Sequence, residues 1–246
     1  MANTASIDNG AIRRDPRLLV TMIVLGLAGV ATLALVPFET LLPPEIDAPR
    51  WMLLIQPAII TVACAALGWW AGPRTGLGAA LGGGEGLRPI LRAMPAIVAI
   101  AAAVALILVT YGVATQDAFA VTPKLDIPLL ARLGYGGVSE EIIARWGLLT
   151  GFMALGLRLR RTPAAAFWIA NSAAALLFAL GHFGALFALV ADPSIALMLA
   201  VLLGNLVPAM GFGWLYRQHG IESAMLAHGG AHALFAISAA AGLVPW

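Results

Sequence analysis

The chain has 246 residues, of which 61% are hydrophobic and only 11% are charged, and its mean hydropathy is +0.93. A soluble domain carries about a quarter charged residues, so this composition excludes a soluble globular protein and predicts an all-α, polytopic membrane helix bundle with the lipid bilayer as its first partner. The formal net charge of +2 comes from basic residues at segment ends, which is not a nucleic-acid surface, and the single cysteine, Cys64, excludes an intrachain disulfide.

Seven apolar segments are long enough to cross a bilayer, which takes about 20 mostly apolar residues. In chain order they are 18–38, 51–70, 90–114, 127–157, 164–190, 194–216 and 221–243. We interpret the first as a retained helix behind an N-terminal tail of residues 1–17, and residues 18–246 as a single transmembrane domain.

Basic residues are unevenly shared between the two ends of these segments. One set of ends carries ten arginines, and the other set carries Arg50, Lys124 and Arg132. Because cytoplasmic loops are enriched in Lys and Arg, this bias predicts a cytoplasmic N-terminus and an external C-terminus. Abundant alanine and a high ratio of arginine to lysine favour a bacterial source, and hence a plasma-membrane location.

The fourth segment is too long for one plain helix. Gly134, Gly136 and Gly137 interrupt it, and Ser139 is a suitable N-cap for a new helix that starts at Glu140. We therefore predict a fourth helix that is broken at 134–137. A helix N-terminus favours negative charge beside it, so the break would present carboxylates to a pocket.

Three ionisable residues follow this glycine run inside the apolar segment. Each charged side chain at membrane depth costs about 2.5–3.5 kcal/mol on insertion, so such residues mark functional sites. Glu141 and Arg145 are four residues apart, with the acid first, which favours a helical ion pair. Glu140 points about 100° away around the helix. We predict that Glu140 performs chemistry while Glu141 and Arg145 support it; the alternative is a purely structural polar cluster of all three.

Three histidines lie in two later apolar segments. His182 is near the end of the fifth, and His228 and His232 are four apart in the seventh, on one helix face. Peptide hydrolysis needs an activated water and donors for the developing oxyanion. We predict that Glu140 and His182 activate the water and that His228 and His232 stabilise the oxyanion, which makes these four the catalytic set.

The sequences EEIIAR at 140–145, FALGH at 178–182 and HGGAH at 228–232 resemble three ordered motifs of a known family. It is the CAAX-protease and bacteriocin-processing (CPBP, or Abi) family, which includes the type II CAAX prenyl endopeptidases. Its motifs are Glu-Glu-x-x-x-Arg, Phe-x-x-x-His and His-x-x-x-Asn or Asp, on separate membrane helices. The CPBP-like region covers about residues 127–244.

This resemblance implies a glutamate-dependent intramembrane endopeptidase that acts on a protein or peptide and requires no metal or other cofactor. It implies that Glu140 is the general base, helped by His182, that Glu141 and Arg145 support the site, and that His228 is an oxyanion donor. The chain departs from the family at His232, where the family usually has asparagine.

Two other interpretations stay open. An extra imidazole at position 232 allows a zinc hydrolase with Glu140, His182, His228 and His232 as ligands, since catalytic zinc sites combine histidines with an acid. The second is a non-catalytic membrane protein, such as an immunity factor, a chaperone or a small transporter, because these also bury charges.

Overall fold

The computed structural model describes residues 15–37, 51–83, 85–123 and 127–244, and every regular element in that part of the chain is helical. The prediction of an all-α protein is therefore confirmed. The helices are α1 (Pro16–Ala31), α2 (Trp51–Thr75), α3 (Arg88–Ala114), the short α4 (Gln116–Phe119), α5 (residues 129–158), α6 (Pro163–Gly181), α7 (Phe183–Leu189), α8 (Ile195–His219) and α9 (Ile221–Ala240). Two 3₁₀ turns, Thr32–Leu35 and Ala80–Gly83, lie in the connections.

Short polar side chains start three of the long helices. The side chain of Asp15 accepts a hydrogen bond from the amide of Arg17, and Thr162 and Ser194 cap α6 and α8 in the same way. Such caps satisfy amides that have no partner inside the helix. Gly220, with φ of 86°, forms the tight turn between α8 and α9, a conformation that suits glycine.

Five helices in the described ranges are long and apolar enough to cross a membrane. They are Pro16–Leu35, Trp51–Thr75, Arg88–Ala114, Pro163–Leu189 and Ile195–His219. The chain is thus an integral membrane protein, as predicted. The count of seven is not confirmed, since α5 and α9 are helical but do not meet the same criterion of length and composition. The sidedness also stays a prediction; Arg50, Lys124 and residues 1–14 of the tail lie outside the described residues.

The predicted break in the fourth segment is wrong. Residues 129–158 form one continuous helical path that contains two π-helical stretches, Arg132–Ser139 and Ile142–Leu149. The amide of Glu140 bonds to the carbonyl of Tyr135, five residues back. Wide turns of this kind let the chain stay helical through a glycine-rich sequence, and they are frequent at functional sites.

Ser139 is correspondingly not an N-cap. It is fully buried within the first π-helical stretch, and its Oγ donates to the carbonyl of Gly26 in α1, at 2.8 Å. The polar side chain therefore joins two helices instead of starting one.

The fifth segment also differs from its predicted form as a single helix over 164–190. Helix α6 ends at Gly181, His182 forms a turn, and α7 continues from Phe183. The sequence indicated the long apolar run, but the change of direction at His182 depends on how that run packs.

Helix α5 lies at the centre of the bundle. It packs against α1 and α2 on one side and against α6, α8 and α9 on the other, while α3 covers α9 and part of α8. The core around α5 contains large side chains such as Trp146, Phe167, Phe212 and Tyr216. The three motif-bearing helices, α5, α6 and α9, thus meet in the interior.

Candidate active site

An ion pair lies at the centre of the bundle. Arg145 Nη1 lies 2.9 Å from Glu141 Oε1, and the two side chains are 2% and 0% exposed. Arg145 Nη2 also donates to the carbonyl of Ala209 in α8, at 3.0 Å. The predicted i,i+4 pair is therefore confirmed, and it anchors α5 to α8.

The same carboxylate oxygen of Glu141 contacts a histidine on another helix. His228 Nδ1 lies 2.7 Å from Glu141 Oε1. Because a carboxylate oxygen accepts, this geometry assigns the hydrogen to Nδ1 of His228 and leaves its Nε2 available. Sequence reasoning missed this contact, since no local pattern relates residues that are 87 positions apart.

Aromatic rings enclose the guanidinium and the imidazole. The Arg145 guanidinium lies 5.0 Å from the Phe178 ring centroid and 5.4 Å from that of Phe212. Phe212 stacks on His228 at 4.6 Å, and His228 stacks on His232 at 4.9 Å. These rings exclude water from the ion pair and hold both imidazoles in a fixed orientation, with a favourable cation–π contribution at Arg145.

His182 lies beside the same aromatic cluster. Its Nδ1 is 2.9 Å from the carbonyl of Phe178, which only accepts, so Nδ1 carries the hydrogen. Its ring packs edge-on against Phe178 at 4.8 Å, and Phe178 in turn packs edge-on against His228 at 6.4 Å. Phe178 therefore separates the two imidazoles, and both leave Nε2 free of these contacts.

Glu140 differs from its neighbour Glu141. It is only half-buried, and the structure shows no hydrogen bond or ion pair between its carboxylate and the rest of the described chain. No hydrogen bond or ion pair among the described residues joins it to His182, His228 or His232. That these four side chains share one water molecule therefore stays a prediction. The Glu140 carboxylate is available to bind a water molecule.

Glycines allow α5 and α9 to approach closely. A Cβ atom at Gly136 would lie 2.7 Å from Nε2 of His232, and one at Gly137 would lie 3.1 Å from Cα of Gly229. A side chain at either position would separate the two helices, so these glycines bring the acids of α5 to the histidines of α9. The glycine run has a packing role where the sequence predicted a break.

Two buried polar atoms at the ion pair lack a hydrogen-bond partner. They are Glu141 Oε2 and Arg145 Nη1; the latter is near Glu141 Oε1 in distance without hydrogen-bond alignment. A buried unsatisfied group costs about 1–3 kcal/mol. A water molecule or a polar group of a substrate would offset this cost at the site.

The arrangement of donors does not favour the zinc alternative. Within the described ranges, no three His, Cys, Asp or Glu side chains are placed so that they could hold a metal ion together. The ligand set Glu140, His182, His228 and His232 is thus not assembled in this structure, and one nitrogen of His228 already contacts Glu141.

Comparison with known protein families agrees with the site. The model of the family described as "Type II CAAX prenyl endopeptidase Rce1-like" matches residues 123–234. This C-terminal region of the chain is similar to that family, in agreement with the resemblance of its three motifs to the CPBP family. It includes the candidate residues Glu140, Glu141, Arg145, His182, His228 and His232, and it supports a membrane peptidase. No match was found among curated proteins or among solved structures.

Proposed function

We propose that the protein is a glutamate-dependent intramembrane endopeptidase that cleaves a protein or peptide near a membrane-associated or C-terminal segment. One contrast carries the proposal: within a peptidase-family region, Glu141 is fully buried in an ion network, whereas its neighbour Glu140 is half-buried and unpaired among the described residues. A purely structural cluster of Glu140, Glu141 and Arg145 would leave neither acid free.

In the proposed reaction, Glu140 accepts a proton from water as the water oxygen attacks the scissile carbonyl carbon. The proton then passes to the amide nitrogen, and the carbon–nitrogen bond breaks. His182 assists because its Nδ1 donates to the carbonyl of Phe178, which leaves Nε2 of a neutral ring as an acceptor for the water. A positioned base of this kind contributes about 10²–10⁴ in rate.

His228 and His232 would stabilise the oxyanion of the tetrahedral intermediate. Because Nδ1 of His228 contacts Glu141, an oxyanion must bind at Nε2, and this nitrogen donates only in the imidazolium form. Glu141 fixes the orientation of the imidazole through its contact with Nδ1, and Arg145 holds Glu141 in place. The supporting role of the ion pair is thus to orient His228.

The sidedness belongs to the same proposal. The arginine distribution supports an N-terminus in the cytoplasm, and the composition supports a bacterial plasma membrane. The orientation can be tested with a reporter that is active only in the cytoplasm, fused to the N-terminus in one protein and to the C-terminus in another. We expect activity from the N-terminal fusion only.

The test of the function compares three strains of the source cell that express the wild type, Glu140→Gln or Glu85→Gln. Glu85 is exposed and pairs with Arg92, so the second variant makes the same chemical change outside the site. New protein N-termini in the membrane and secreted fractions are identified by mass spectrometry. We expect a set of N-termini that is present with the wild type and Glu85→Gln and absent with Glu140→Gln.

If Glu140→Gln, at equal protein level, retains all cleavage products, the peptidase proposal is wrong and a non-catalytic role is favoured. The substitution should leave the fold intact, because Glu140 makes no hydrogen bond to the described residues. Equal melting temperatures of the purified variants check this.

A further inference from the structure

A cavity adjoins the two histidines of α9. It has a volume of about 70 Å³ and is lined by α3, α6, α8 and α9. His228 and His232 form part of one wall, and the aromatic rings of Phe178 and Phe212 form another. Because these imidazoles are the proposed oxyanion donors, a group in this cavity would be next to the carbonyl under attack.

Helix α3 closes the far side of the cavity. Val104 and Leu108 line it, and α3 packs against α9. This helix lies outside the family-matched residues 123–234. Helix α3, which carries no family motif, therefore forms part of the wall of the cavity beside His228 and His232.

The size of the cavity restricts its occupant. An engineered cavity of about 150 Å³ accepts benzene, and a single water needs only about 10–15 Å³. A space of about 70 Å³ therefore admits a short aliphatic side chain and excludes an aromatic ring.

One wall offers a hydrogen-bond acceptor. Pro208 lies inside α8 and lines the cavity together with Gly204. Proline has no amide hydrogen, so the carbonyl of Gly204 lacks its usual helical donor four residues further on. A largely apolar cavity with a backbone acceptor in the helix beside it suits one residue of a peptide, whose side chain would lie in the cavity.

We propose that this cavity is the substrate subsite for the residue whose carbonyl is attacked, that it selects short aliphatic side chains, and that Val104 and Leu108 of α3 set the size limit. The inference rests on the proposed peptidase function and names the part of the substrate that the site recognises. It assigns a role in specificity to α3.

The test reads the residue before each new N-terminus in the comparison of strains described above. Val104→Ala and Leu108→Ala enlarge the cavity, and Val104→Leu reduces it. The matched controls are Val98→Ala and Leu106→Ala on the same helix, where the side chains are 56% and 64% exposed. The measured quantity is the ratio of cleavage after large residues to cleavage after small ones, which does not depend on how much protein folds.

We expect Val104→Ala and Leu108→Ala to raise cleavage after leucine and phenylalanine, relative to alanine and valine, by about tenfold, the effect of a methylene group in an apolar pocket. Val104→Leu should shift cleavage towards glycine and alanine, and the controls should match the wild type. If the ratios stay unchanged in all three cavity variants while Glu140→Gln still abolishes cleavage, the subsite inference is wrong and the peptidase proposal stands. If Glu140→Gln has no effect, the peptidase proposal fails and the subsite inference fails with it.

Discussion

The two sides of α5 both contain polar side chains and glycines, but they make different kinds of contact. On the side of α1 and α2, Ser139 Oγ donates to the carbonyl of Gly26, and Trp146 Nε1 donates to the carbonyl of Ala65. On the side of α6, α8 and α9, Glu141 and Arg145 form the buried ion network. Glycines permit close packing on both sides, but the buried ion network lies on one side only.

We call the side of α5 that faces α1 and α2 the scaffold side. The side that faces α6, α8 and α9 is the reactive side, because the candidate histidines lie in α9 and at the end of α6. On the scaffold side, both hydrogen bonds join an uncharged side chain to a main-chain carbonyl, so they position α5 without adding charge to the bundle. On the reactive side, Glu141 Oε2 and Arg145 Nη1 are buried and have no hydrogen-bond partner. Such atoms cost stability in the folded protein, and in the proposed function they would bind a water molecule or a polar group of the substrate.

The largest loss of stability should come from the reactive side. Arg145→Met leaves the carboxylate of Glu141 buried without its ion-pair partner, which should lower the free energy of unfolding by about 3–5 kcal/mol. Equilibrium unfolding in mixed detergent micelles measures this free energy of unfolding. The control is Arg92→Met, which breaks an exposed pair with Glu85 and should cost less than about 1 kcal/mol.

Adding Glu141→Gln to Arg145→Met should recover part of the stability, since it removes the uncompensated charge, and it should not recover activity. An Arg145→Met protein as stable as the Arg92→Met control would show that the ion pair is not a structural requirement.

An intermediate effect is expected on the scaffold side. A Cβ at Gly147 would lie 2.5 Å from Cβ of Cys64 in α2, so Gly147→Ala should overpack this interface and cost about 1–3 kcal/mol. Because none of the candidate site residues lies at this contact, cleavage per folded molecule should be retained. Gly184→Ala is the control, since nothing lies within 4 Å of a Cβ there. A folded Gly147→Ala protein without activity would contradict the separation of the two sides.

A smaller effect should follow from Ser139→Ala. It removes the hydrogen bond from Ser139 Oγ to the Gly26 carbonyl and should cost about 1 kcal/mol. The same change at Ser238, whose hydroxyl bonds to its own helix at an exposed position, should be nearly neutral. Thermal unfolding of both variants under identical detergent conditions measures the difference, and equal melting temperatures would argue against a positioning role for Ser139.

A small effect on activity is expected at His232, the position where the chain departs from the family motif. His232→Asn keeps one hydrogen-bond donor near the stacked His228 ring, so kcat/KM should fall by no more than about tenfold, the range of one neutral hydrogen bond. Chelation should leave the activity of both proteins unchanged. A loss of activity on chelation that zinc restores would support the metal alternative and refute the glutamate mechanism.

Local patterns were enough to predict much of the architecture and the ion pair. The apolar runs predicted helices because backbone groups in lipid must bond within their own segment, and the spacing of Glu141 and Arg145 predicted their contact because residues four apart share a helix face. The spacing could not predict that His228 of α9 also contacts Glu141, because the two residues are far apart in the chain. The wrong interpretation of Gly134, Gly136 and Gly137 has the same origin, since their role depends on which helix packs against them.

The sequence by itself determined that this is a membrane-embedded helical protein and which ionisable residues it places in the apolar interior, because hydropathy and helical periodicity are properties of neighbouring residues. Only the tertiary structure decided which acid is engaged and which is free, which nitrogen of each histidine is available, and that α3 forms a wall of the cavity. Those properties arise from contacts between helices that are distant in the chain. The glycines at the α5–α9 contact likewise have a packing role only because α9 lies against them.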